Sequence, residues 1–208
     1  IKKTKKEIIE INQYSRKVFI VNPKKEPNIN KHNENCRMIG DVLAEKIKTL
    51  ESVLIVDIKQ NQNEAMKIAE GIALSNYTFT KHKTNPKPNK LKCLYLCKKS
   101  NEKDINELQN IINAVYLTRD LINEPFSHLA AKDLANAAAK TAKKNNINTT
   151  IFNKKKIESL KMGGLLAVNK GSIDEPTFTI LEWKPKNAKN KQPIVLIGKG
   201  IVFDTGGL

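Results

Sequence analysis

The sequence predicts an α/β protein with a mainly parallel sheet. Three observations predict it. Val53-Leu54-Ile55-Val56-Asp57-Ile58 is a nearly continuous apolar run, as expected for a strand covered on both faces. Helical stripes flank it, with Ile39, Val42, Leu43, Ile47 and Leu50 before it and Ala65, Ile68, Ala69 and Ile72 after it. A second apolar run, Leu91 to Leu96, then follows. Strands that alternate with helices build parallel units whose crossovers cover the sheet.

In chain order, Lys17 to Val21 is the first strand candidate. Asn22 to Asn35 is polar, contains Pro23 and Pro27, and reads as a loop. Cys36 to Leu50 and Glu64 to Leu74 carry apolar residues at helical spacing. Lys81 to Lys90 is basic, holds Pro86 and Pro88, and reads as a loop. Glu102 to Asn123 is the longest periodic segment, with Ile105, Leu108, Ile112, Val115 and Ile122 on one stripe. It spans about 30 Å as a helix, which suits a connector between domains, and Pro125 ends it. Lys132 to Lys144 is an Ala-rich helix and Lys154 to Leu160 a short one. Thr149–Phe152, Leu165–Val168, Thr177–Trp183 and Ile194–Ile197 read as strands. The domain reading is 1–101 as an N-terminal α/β domain, 102–124 as a connecting helix and 125–208 as the start of a second domain.

Composition narrows the function. The 208 residues are 39% hydrophobic, enough for a core. No run reaches the roughly 18 apolar residues that a membrane span needs, so no membrane role is expected. The first residues, Ile1-Lys2-Lys3-Thr4, show no apolar leader. Both ends read as cut, the last inside an apparent loop at Gly206-Gly207-Leu208. The net charge of +16 suggests a nucleic-acid or anion binder. However, Arg16, Arg37 and Arg119 are the only arginines. Phosphate and base readers lean on the planar arginine fork, so a lysine- and asparagine-rich composition argues against nucleic acid as the main partner. Anion or nucleic-acid binding by the basic N-terminal domain is kept as the alternative function.

Cys93 and Cys97 fall on one face of a strand about 13 Å apart, too far for a disulfide. With Cys36 they read as buried, reduced thiols of a cytoplasmic protein.

The informative stretch is Ile197-Gly198-Lys199-Gly200-Ile201-Val202-Phe203-Asp204-Thr205-Gly206-Gly207. An apolar run leads into a glycine-flanked lysine, with an aspartate five residues later. Open α/β sheets place ligands at such strand ends. The order of Lys199 and Gly200 fails the phosphate-binding loop, and Phe203 fails the third glycine of a dinucleotide fingerprint. Asp204-Thr205-Gly206 matches the tripeptide of aspartic proteases, but those are β-rich. The spacing alone also allows an ordinary strand-to-loop turn with a surface lysine.

The longer context resembles the leucyl (cytosol) aminopeptidase family of two-metal exopeptidases. Gly198 to Gly207 is similar to that family's metal-binding segment, where position 205 is usually serine. Met162-Gly163-Gly164-Leu165-Leu166-Ala167-Val168-Asn169-Lys170-Gly171-Ser172, followed by Glu175-Pro176, resembles another family stretch. Thr118-Arg119-Asp120-Leu121-Ile122-Asn123-Glu124-Pro125 resembles the opening of its catalytic domain. Ala69-Glu70-Gly71-Ile72 through Tyr77-Thr78-Phe79 resembles the end of its N-terminal domain.

The resemblance implies a macro-domain-like N-terminal domain, a connecting helix and the truncated start of a zinc-exopeptidase catalytic domain. It implies Lys199 and Asp204 as metal ligands, two divalent ions (Zn²⁺ or Mn²⁺), and peptide substrates with a free N-terminus. A homohexamer is implied for the full-length protein. A second lysine, two more aspartates, a glutamate and an arginine of the family site should lie beyond Leu208. No catalytic residue is therefore expected within this chain, which should be inactive alone. His32, His82 and His128 read as non-catalytic. Asn123-Glu124-Pro125 reads as a helix end, and Glu182 and Trp183 as structural.

Overall fold

The computed structural model describes residues 7–58, 62–97 and 101–202. The chain divides into two compact units, 1–120 and 121–208.

The first unit opens with a hairpin. β1 (Ile8–Gln13) pairs antiparallel with β2 (Arg16–Val21), from Ile8 opposite Val21 to Gln13 opposite Arg16. β1 escaped the sequence reading, because its polar neighbours hide a short apolar alternation. α1 runs Ile29–Ile47, seven residues earlier than expected. Its start lies inside the asparagine-rich stretch read as a loop. Asn28 is the reason: its side-chain oxygen accepts from the backbone of Asn30 and Lys31, at 2.9 and 3.2 Å. An N-cap of this kind satisfies donors that the first helical turn leaves open.

β3 (Ser52–Val56), α2 (Gln62–Ser75) and β4 (Cys93–Cys97) follow, and β3 and β4 pair in parallel from Ser52 opposite Cys93. Cys36, Ile39, Leu43 and Ile47 of α1 and Ile68 and Ile72 of α2 form the core with Leu91. Phe19, Val21, Val53, Ile55 and Leu94 pack against it. The two helices cross at glycines. A Cβ on Gly71 would lie 2.1 Å from the Arg37 carbonyl oxygen, and one on Gly40 2.4 Å from that of Ile68.

β3 is not covered on both faces. Val53 and Ile55 face the core, whereas Leu54 and Val56 are more than half exposed. Cys93 and Cys97 share the outer face of β4 and are exposed, which corrects the expectation of buried thiols; only Cys36 is buried. The equal alternation on both strands is the cause: every second side chain points away from α1 and α2.

α3 (Glu102–Asn123) docks on the C-terminal end of α2. The Tyr116 hydroxyl donates to the Ala73 carbonyl and Arg119 to that of Leu74, both at 2.5 Å. Burial pushes the Tyr116 phenol above its ordinary pKa, which keeps the donor protonated. The Arg119 guanidinium also lies 5.4 Å over the Tyr77 ring, and the Tyr77 hydroxyl donates to Asp120. Tyr116 and Arg119 thus bond carbonyls of the last helical turn, where α-helical donors run out, and the Ala73 carbonyl also accepts from the Asn76 amide at 3.2 Å.

In the second unit, α4 (Ala131–Lys144) leads into β5 (Asn148–Phe152), which pairs antiparallel with β6 (Phe178–Glu182). α5 (Lys154–Ser159) and α6 (Gly163–Asn169) lie between them. Ala135, Ala142 and Ile157 are buried, and the Phe152 and Phe178 rings stack at 5.9 Å. Three expectations fail here. Leu165–Val168 lies within helix α6 and forms no strand. Ile194–Ile197 takes no regular structure. The sheets are not mainly parallel, since β3–β4 is the one parallel pair among the described residues. Short apolar runs do not separate strand from helix by pattern alone. The mixed α/β class itself holds.

Candidate functional site

Lys199 lies on the irregular segment that carries Ile194 to Ile201. It is exposed, and its carbonyl accepts from the Ile201 amide at 3.2 Å. Its glycine neighbours differ. A Cβ on Gly198 would meet open space, whereas one on Gly200 would lie 3.2 Å from Leu134 Cδ2 of α4. Gly200 thus lets the backbone lie close to α4, and Lys199 sits one residue before that contact. Asp204 lies outside the described residues, as do Thr205, Gly206 and Gly207.

The donors present do not fit a two-metal centre by themselves. Among the described residues, no group of three or more histidine, cysteine, aspartate or glutamate side chains is placed to hold a metal ion. Lys199 supplies one nitrogen, and a metal needs several ligands.

The histidines have other engagements. His32 is buried, with Nδ1 3.2 Å from the Lys24 carbonyl and Nε2 3.0 Å from Glu64 Oε1. The Cys36 Sγ lies 4.0 Å from the same Nε2. Burial pushes this thiol's pKa up, and the nearby Glu64 carboxylate adds to the effect. His82 packs against Phe79, and His128 Nδ1 lies 3.0 Å from the Ser127 hydroxyl. Asn123 is the last residue of α3, and the Pro125 carbonyl accepts from His128 and Leu129. Glu182 ends β6, and Trp183 follows it, largely exposed.

Sequence reasoning missed one charged cluster. Arg37 bonds Glu34 at 2.7 Å and Glu70 at 2.9 Å, and Lys67 bonds Glu70 at 2.7 Å. Burial alone would raise the Glu70 pKa, but the hydrogen bonds from Lys67 and Arg37 outweigh it and hold the carboxyl low. The spacing of three within 34–37 and 67–70 was the available signal. The network ties α1 to α2 beside the glycine crossing.

Residues 116–208 match the model of the cytosol aminopeptidase family, catalytic domain. The match contains the whole glycine-lysine-aspartate segment and the stretches 118–125 and 162–176, whereas 69–79 lies outside it. Over this segment the chain carries the catalytic-domain pattern of the cytosol aminopeptidase family. A probable cytosol aminopeptidase of Chlorobaculum parvum is 57% identical over 90 residues, which is 43% of this chain and 18% of the relative. That of Chloroherpeton thalassium is 30% identical over 227 residues, covering 93% of this chain and 43% of the relative. The chain therefore spans less than half the length of these cytosol aminopeptidases.

Solved structures show the same fold. A mutant of tomato leucine aminopeptidase superposes with a TM-score of 0.80 at 22% identity, covering 96% of this chain and 42% of that one. A bottromycin maturation enzyme in complex with Mn gives 0.71 at 17% identity, over 86% of this chain and 39% of that one. Among the described residues, no helix of this chain is long and apolar enough to cross a membrane.

Proposed function

We propose that this chain is part of a metal-dependent aminopeptidase that releases N-terminal residues, leucine-type preferred, from peptides in the cytoplasm. The observation that carries the reading is the catalytic-domain match over 116–208 together with Gly198-Lys199-Gly200 and Asp204 in the family's order. Lys199 and Asp204 would be metal ligands. Two divalent ions, Zn²⁺ or Mn²⁺, would supply Lewis-acid polarisation of the scissile carbonyl and an activated water. Residues 1–101 would form the N-terminal domain, 102–124 the connecting helix and 125–208 the start of the catalytic domain, within a homohexamer of the full-length protein.

The remaining ligands and the oxyanion-stabilising lysine would come from sequence beyond these 208 residues. The chain alone is accordingly expected to give no turnover of leucine amide with added Mn²⁺ or Zn²⁺. Turnover well above blank would overturn that expectation. A fusion of this chain to the remaining catalytic-domain residues of the Chloroherpeton thalassium relative tests the activity itself. Leucine amide hydrolysis that disappears in Lys199→Ala supports the reading; a folded fusion whose hydrolysis is unaffected by Lys199→Ala removes Lys199 from the site.

A further inference from the structure

The four strands of the first unit share one inner side. Ile8, Phe19, Val21, Val53, Ile55 and Leu94 pack against the core that α1 and α2 build. Successive strand residues point to opposite faces, so the alternate residues point away from both helices. In the parallel pair these are Leu54 opposite Tyr95, Val56 opposite Cys97 and Ser52 opposite Cys93. In the hairpin they are Ile9 opposite Ile20, Ile11 opposite Val18 and Gln13 opposite Arg16.

This outer face is bare and almost uncharged. Leu54, Val56 and Tyr95 are each more than half exposed, and Ile58, two residues past β3, is 87% exposed. Ile9, Ile11, Ile20, Cys93 and Cys97 are exposed as well. Charged residues make up 28% of the chain. Yet Arg16, at the hairpin turn, is the one charge among the twelve outward positions of the four strands. Depletion of charge around aromatic and aliphatic side chains marks the core of an interface. Parallel strands, moreover, occur almost only with both faces covered, and α1 and α2 cover one.

We propose that this face pairs with the same face of a second copy of the chain, sheet against sheet, in a two-fold dimer. The area argues for that occupant. At their exposures, the nine apolar side chains just named present on the order of 800 Å² per copy, the share each partner gives to a standard-size interface. Charge argues the same way. A face with almost no acids or bases gives a charged partner nothing to hold, whereas a two-fold contact sets like apolar residues against each other. The +16 of each copy then acts mainly from outside the contact, so salt that screens this repulsion tightens the pairing. The contact lies wholly on the first unit and does not rest on the homohexamer proposed for the full-length protein.

The test is sedimentation equilibrium of the full 208-residue chain over a concentration series at low and high salt. The chain should pass from monomer to dimer as concentration rises, and do so at lower concentration in high salt. The double variant Leu54→Lys, Tyr95→Lys should weaken the dimer about tenfold or more, since central anchors are lost and like charges meet. Leu54→Ile with Tyr95→Phe keeps the face apolar and should dimerise like the parent. Leu196→Lys alters the exposed run of the second unit and should do the same. In the parent, a maleimide should label Cys93 and Cys97 more slowly in the concentrated dimer than in the dilute monomer. A chain that stays monomeric at every concentration, a dimer that Leu196→Lys abolishes or that the double lysine variant spares, or labelling of Cys93 and Cys97 that ignores concentration would each overturn the proposal.

Discussion

Ile72 and Leu196 are both aliphatic residues inside apolar stretches, yet one is 1% exposed and the other 91%. Ile72 sits on α2, where α1 approaches closely enough that glycine is needed at the crossing. Leu196 sits in the run leading to Lys199, where the described residues provide no covering element. Apolarity states a demand for burial; the neighbouring element decides whether it is met.

The largest effect should separate these two positions. Ile72→Ala is expected to cost the first unit about 2–5 kcal/mol, from lost transfer energy and the cavity left behind. Leu196→Ala should stay within about 0.5 kcal/mol, as for an exposed site. Urea unfolding followed by circular dichroism measures both. A comparable loss in Leu196→Ala would show that the 194–197 run is buried in solution.

Glycine substitutions give the next contrast. Gly71→Ala pushes a methyl onto the Arg37 carbonyl and should cost about 1–3 kcal/mol or more, because backbone on both sides must move. Gly163 and Gly164 sit in α6 with open space around their Cβ positions. Alanine at either is expected to stabilise the second unit by up to about 1 kcal/mol, from helix propensity. Thermal melts of the single variants test the pair. Destabilisation by Gly164→Ala would point to an approach to this glycine outside the described residues.

This contrast also marks what was legible in the sequence. The helical stripes of α1, α2 and α4 could be read because each buries one face at a regular period, whereas α3 buries Ile112 and leaves Ile105 and Ile122 of its stripe exposed. The Leu165–Val168 run could not be assigned, since four apolar residues fit a strand and a buried helical turn equally well. The start of α1 was hidden because Asn28 signals a cap and a turn alike. Lys199 was legible through the order of glycine, lysine and aspartate around it. The further ligands proposed beside it were not, since they would come from sequence beyond these residues. The Arg37–Glu70 link was missed because it is a contact between two helices.

The two units should also differ in acid response. Glu70 carries a depressed pKa despite burial, and Glu175 carries one through its hydrogen bond with Lys132, at 3.0 Å on the surface. A carboxyl depressed in the folded state adds stability above its unfolded pKa of roughly 4 and loses it as the pH falls further. The drop in melting temperature from pH 7 to pH 3 should therefore shrink in Glu70→Gln. In Glu175→Gln it should be unchanged within error, because exposed pairs contribute little. Equal behaviour of the two variants would remove the buried network as a source of acid sensitivity.

The smallest expected difference concerns a device that both units share. Asn28 caps α1 by accepting from two backbone amides, and Asn153 caps α5 by accepting from Lys156 at 3.0 Å. Alanine at either site should cost about 1 kcal/mol. The consequences should differ in extent. α1 has nineteen residues and buries seven of them, so fraying its first turn leaves most of the helix held by packing. α5 has six residues and one buried side chain, Ile157, so the same loss removes a large share of what fixes it. Amide exchange should therefore quicken at Asn30 and Lys31 alone in Asn28→Ala, but across Lys156 to Leu160 in Asn153→Ala. Exchange that spreads through α1 to Cys36 would show that its early start depends on the cap and not on the core.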